Sequence, residues 1–81
     1  MGAGDLLAAM RANPRDWQLA DVVALCRLHG IACTPPRGGS HYKVKHPAVP
    51  AILTIPARRP IKPVYIRALV RFVEQVQEAM A

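Results

Sequence analysis

The sequence predicts an α+β fold in which two helices precede a three-stranded antiparallel sheet and a third helix follows it. Three observations predict this. Apolar residues recur at helical spacing near both ends of the chain, the period changes to two between Ile31 and Ile55, and Pro and Gly fall at the joins. With 81 residues, 52% of them apolar and 20% charged, the chain has a globular composition and room for one domain spanning 1–81. A domain of this size buries only about 60% of the surface its unfolded chain exposes. It has no space for a large cofactor fold, so any reaction must use a shallow surface built from few residues.

The first helix is expected over about Gly4 to Ala12, with Leu6, Leu7 and Met10 on one side and Asn13-Pro14 closing it. Asp16 can cap a second helix over about Trp17 to His29, in which Leu19, Val22, Val23 and Cys26 follow the spacing of an apolar face. Gly30 stands where a helix end favours a left-handed residue. Ile31 to Thr34 then reads as a strand stopped by Pro35-Pro36, and Arg37-Gly38-Gly39 as a turn. Ser40 to His46 is the second strand, Pro47 to Pro50 a connection, and Ala51 to Ile55 the third strand. Leu53 and Ile55 share one face of that strand, and Ile52 and Thr54 share the other. Pro56 to Pro60 forms a loop carrying Arg58-Arg59. The last helix starts near Pro63, a favoured first-turn residue, and runs to about Met80. Its core stripe is Tyr65, Leu69, Phe72, Val73, Val76 and Met80, with Arg67 and Arg71 on a different side. Trp17 is expected to pack against this helix. Helices on one face of a small sheet leave its other face open to a ligand.

Eleven Lys+Arg against five Asp+Glu give a net charge of +6, and the pI is about 10.2. That excess on a small surface draws polyanions, which makes nucleic acid or an acidic protein the expected partner. A membrane is not expected, because no apolar run approaches the ~20 residues needed to span one. The Met-Gly-Ala-Gly start, followed early by Asp5, has no charged leader region, so the expected location is cytoplasmic. Cys26 and Cys33 fit that compartment as small apolar residues rather than a disulfide. His29, His41 and His46 share no metal-ligand spacing with each other or with the cysteines, so neither a metal nor another cofactor is expected.

The second strand is the most informative stretch. Alternation places Tyr42, Val44 and His46 on one face and His41, Lys43 and Lys45 on the other. If Tyr42 and Val44 point at the helices, His41 stands in a row with two lysines on the open side, a general base where phosphate is attracted. Gly38-Gly39 lets backbone approach a substrate closely. Arg58, Arg59 and Lys62 are phosphate contacts in reserve, with Arg offering bidentate geometry. His46, on the inward face and before a proline, is read as structural, and His29 as a partner of a helix dipole.

Gly38-Gly39-Ser40-His41, a strand ending in His46-Pro47, a further strand ending in Pro56 and a C-terminal helix resemble the HicA-type toxins. These are small mRNA interferases of type II toxin–antitoxin systems. The resemblance covers about four-fifths of the chain, from Trp17 onward. It implies a double-stranded-RNA-binding-domain-like α-β-β-β-α fold with an extra N-terminal helix. It also implies an endoribonuclease that cleaves single-stranded mRNA without metal, and neutralisation by a HicB-type antitoxin. The family's glycine and catalytic histidine fall on Gly39 and His41, and Ser40, Lys43, Lys45, Arg58 and Arg59 are the accompanying RNA contacts to test. Two features depart from the family. Tyr42 follows the histidine where many members have a polar residue or a second histidine, which leaves the proton-transfer partner open, and the N-terminal helix is absent from the shortest members. The alternatives are a non-catalytic RNA-binding module using the same basic face, and an interaction domain for an acidic protein.

Overall fold

The computed structural model describes residues 3–81. Helix α1 (Ala3–Ala12) and helix α2 (Leu19–Leu28) precede strands β1 (Ala32–Thr34), β2 (His41–His46) and β3 (Val49–Pro56), and helix α3 (Pro63–Met80) closes the chain. The strands form one antiparallel sheet in the order β1-β2-β3. Val44, Ile55 and the half-buried Tyr42, Cys33 and Leu53 turn inward, while Thr34, His41, Lys43, Lys45 and Thr54 are exposed. The helices therefore cover one face of the sheet, as the alternation requires. No helix among the described residues is long and apolar enough to cross a membrane.

Helix α2 starts later than expected, and Asp16 is not its cap. Asp16 sits at φ 64°, outside the extended geometry of a capping residue. The cap is Gln18, whose backbone N–H donates to the Asp21 carboxylate at 2.8 Å. The other end follows the glycine rule. Gly30 adopts φ 66°, its N–H donates to the Arg27 carbonyl, and the Ile31 N–H reaches back to the Cys26 carbonyl at 2.8 Å in a Schellman closure. Ile31 thus ends the helix and enters the core instead of opening β1. His29 is the C-terminal cap residue, where an imidazole meets the negative end of the helix.

Two proline-based expectations are corrected. Pro47 to Pro50 is not a connection, because β3 begins at Val49, which pairs with His46 across the two-residue turn Pro47-Ala48. The His46 ring holds that turn by accepting the Ala48 N–H on Nδ1 at 3.0 Å, a structural role. Pro50 is tolerated because β3 is an edge strand with a free side, and the register shifts between Val44 and His46. At the other end of β3, Pro56 still pairs with His41.

The core joins Leu7 and Met10 of α1, Val22, Leu25 and Cys26 of α2, the inward sheet residues and six residues of α3. The α3 stripe is wider than expected. Ile66 and Val70 are buried beside Leu69, Phe72, Val73 and Val76, whereas Tyr65 is half-buried and Met80 is 68% exposed. The extra arc is covered because α3 packs against α1 as well as β3. Met80 lies beyond this coverage at the end of the helix. Arg11 of α1 donates to Glu74 of α3 from Nη2 at 2.8 Å and from Nε at 3.0 Å, with both side chains about half exposed. An exposed pair of this kind contributes at most about 1 kcal/mol, whereas a buried Met contributes several times more. Met10→Ala should therefore cost about 2–5 kcal/mol and Arg11→Ala no more than about 1 kcal/mol, read as denaturant midpoints. Equal losses would mean that α1 is held by its ion pair instead of its apolar face.

Both cysteines are free thiols, Cys26 buried and Cys33 half-buried. Desolvation pushes the Cys26 thiol from 9.0 up to about 12, and the charge and hydrogen bond of the neighbouring Cys33 add to the effect. Burial also raises Cys33, opposed by its hydrogen bond with Cys26. A thiol raised in the folded state stabilises the fold fully below pH 9.0, and that contribution is lost as pH rises towards about 12. Across this range the denaturant stability of the wild type should fall faster than that of Cys26→Ala. Parallel curves would show that the thiol does not titrate with unfolding.

Candidate nucleic-acid interface

Strand β2 sets the interface through its register. Val44 is fully buried between Cys33 of β1 and Leu53 of β3, so its neighbours Lys43 and Lys45 must point to the open face. On that face Lys43 stands between Thr34 and Thr54, and Lys45 stands beside Ala32. Small side chains next to long cations leave the floor low and the ammonium groups free. His41 lies at the end of the same row, opposite Pro56.

These residues border a concavity of about 680 Å³ that brings together Gly39, Ser40, His41, Lys43 and Lys45. Its wall is the β1–β2 connection, with Pro35, Pro36 and Arg37. Arg37 is a site residue that the sequence reading treated as part of a turn. Its signal was its place directly before Gly38-Gly39, since a turn that lets the backbone fold back also returns the preceding side chain to the sheet face.

The two glycines differ. Gly38 has φ 70°, a conformation that side-chain-bearing residues rarely adopt, so the turn itself requires it. Gly39 has no such constraint, and a Cβ there would meet only the Cβ of Pro36 at 3.9 Å, an ordinary contact. Neither backbone conformation nor packing therefore requires a glycine at this position. The exposed His41 ring makes no hydrogen bond among the described residues, so its nitrogens are free for a ligand. Arg37, Lys43 and Lys45 likewise have no ion-pair partner among the described residues. All five carboxylates of the chain lie outside residues 22–73, whereas nine of its eleven cations lie within them. The local field is therefore positive and uncompensated.

Arg58 and Arg59 do not join this concavity. They border a neighbouring one of about 410 Å³ together with Arg15, Asp16 and Lys62. Ser40, which lines the first, accepts the N–H of Ala57 at 2.6 Å, and Ala57 directly precedes Arg58 of the second. Arg67 and Arg71 border a third depression between α3 and β3, whose surface includes Ile52, Val64 and Phe72. Trp17 packs on the core edge, its backbone bridging to Ile61 and its Nε1–H donating to the Asn13 carbonyl at 2.6 Å. Among the described residues no three His, Cys, Asp or Glu side chains come together.

The arrangement can hold a phosphodiester with Lys43, Lys45 and Arg37 while the His41 imidazole faces it. Gly39→Ala should leave stability unchanged or raise it by about 0.4–1 kcal/mol, because it restricts the unfolded chain. If this concavity is the RNA site, the same substitution weakens binding several-fold by placing a methyl group on its wall. Thermal melts alongside an RNA titration check both, and a destabilised variant with intact binding would make Gly39 a turn residue only. Comparison of the chain with protein-family models, curated proteins and solved structures finds no match.

Proposed function

We propose that the protein is a HicA-type toxin: a metal-independent endoribonuclease that cleaves mRNA in the cytoplasm and is neutralised by a HicB-type antitoxin. On this reading its α+β architecture is a double-stranded-RNA-binding-domain-like fold with a helix added in front. The observation that carries the proposal is one unpartnered, exposed imidazole in a basic concavity, beside a glycine that the fold does not need. A His41 buried and hydrogen-bonded into the core would favour the binding module; the ring is instead exposed, with no hydrogen bond among the described residues.

The reaction uses few parts. His41 takes the proton of a 2′-hydroxyl, and the oxygen attacks the adjacent phosphorus to form a 2′,3′-cyclic phosphate. Negative charge builds on the phosphorane oxygens, where Lys43, Lys45 and Arg37 compensate it. The bond to the 5′-oxygen breaks, and that oxygen takes a proton from solvent, to which the concavity is open. The imidazolium then returns its proton to water.

His41 should be the residue that separates binding from cleavage. Its ring touches no other described side chain by hydrogen bond, so His41→Ala should change stability by no more than about 0.5 kcal/mol. It should bind RNA like the wild type and cut at least ~100-fold more slowly. Lys43→Ala should weaken binding and leave measurable cleavage. The assay is cleavage of labelled RNA with chelator present, beside a binding titration. Wild-type cutting by His41→Ala would remove the catalytic assignment in favour of the binding module.

A further inference from the structure

Arg58 and Arg59 share their concavity with Lys62 and with Arg15, which lies more than forty residues earlier in the chain. We propose that these four cations form a second phosphate-binding site, which holds a phosphodiester of the same RNA strand whose scissile bond lies at His41. Arg15, carried by the linker after α1, completes this site. The inference rests on the RNA-cleaving reading and extends it to the path of the substrate.

Three observations carry it. Four cations face one carboxylate, Asp16, and none of the four side chains makes an ion pair or hydrogen bond among the described residues. Four like charges with a single carboxylate among them repel one another, and a bound polyanion relieves that repulsion. Second, the cluster is held in place from both sides. The Ile61 N–H donates to the Trp17 carbonyl at 2.9 Å, Trp17 Nε1–H donates to the Asn13 carbonyl, and the Arg15 N–H donates to Asn13 Oδ1 at 3.1 Å. These bonds pin the linker against the β3–α3 loop, so Arg15 reaches the site at little further entropic cost. Third, the site adjoins the His41 concavity. His41 pairs with Pro56 and the Ser40 carbonyl accepts the Ala57 N–H, so a strand crossing the end of the sheet meets Arg58 next. The depression bordered by Arg67 and Arg71 has Ile52, Val64 and Phe72 around it, an apolar surface less suited to phosphate.

The test compares Arg15→Ala/Lys62→Ala with Arg67→Ala/Arg71→Ala, which removes the same charge elsewhere. Single-stranded RNA of about 16 nucleotides can span both concavities, whereas a dinucleoside monophosphate has a single phosphodiester and can be cut only while that phosphate lies at His41. The Arg15/Lys62 variant should lose about 10-fold in kcat/KM on the long RNA and keep its rate on the short one. Its log–log salt slope for binding the long RNA should fall in magnitude by about 0.7, the value for the one phosphate contact this site makes. The Arg67/Arg71 variant should keep both. An unchanged slope for Arg15/Lys62, or an equal loss for Arg67/Arg71, would overturn the second site. Lys43→Ala/Lys45→Ala keeps the two failures apart. If it abolishes binding while Arg15/Lys62 has no effect, the RNA reading stands and the second site does not. If RNA is bound but never cut, the nuclease reading fails while the slopes still decide the second site.

Discussion

Burial of Val44 is the constraint on which the interface depends. Its side chain is completely enclosed, flanked by Cys33 and Leu53 on the neighbouring strands. With that one residue committed to the core, the two-residue period of a strand leaves no choice for His41, Lys43 and Lys45. A slip of one residue would drive two lysines into an interior whose buried residues, among those described, are apolar. The apolar energy that holds β2 in register therefore also orients the cationic row.

Charge is segregated along the chain in a way that matches this division of labour. The carboxylates belong to α1, to the start of α2 with its linker, and to the far half of α3. There they cap a helix, as Asp21 does, or join helices, as Glu74 does with Arg11. None lies on the sheet or its connecting loops. A surface with cations and no acids gains nothing for folding, because exposed like charges only repel. On the proposed reading it attracts an anion, and the low floor around Lys43 gives the anion somewhere to lie.

Helix α1 does more than extend the chain. Leu7 and Met10 place it in the common core, so α3 is enclosed on two sides and buries Ile66 and Val70 in addition to its sheet-facing stripe. The linker that follows α1 is then fastened at Trp17 to Ile61, just ahead of α3. Packing of α1 thereby decides where Arg15, in the linker directly after it, stands.

Much of this was legible in the sequence. The order of elements, the limits of α3, the Gly30 closure and the two faces of β2 all follow from local rules, because period, proline and left-handed glycine act within a few residues. The local signals failed where a residue's surroundings overrode its type. Pro50 looked like a loop residue but lies in an edge strand, Asp16 looked like a cap but occupies a left-handed turn, and Met80 looked like core but is exposed at the end of α3. For the interface, the sequence by itself determined that His41, Lys43 and Lys45 share one exposed row, since alternation along a single strand suffices. Only the tertiary structure decided that Arg37 joins this row and that Arg58 and Arg59 instead face Arg15 and Lys62. Residues distant in the chain meet through the packing of α1 and the Trp17–Ile61 bridge, and no spacing in the sequence encodes that meeting.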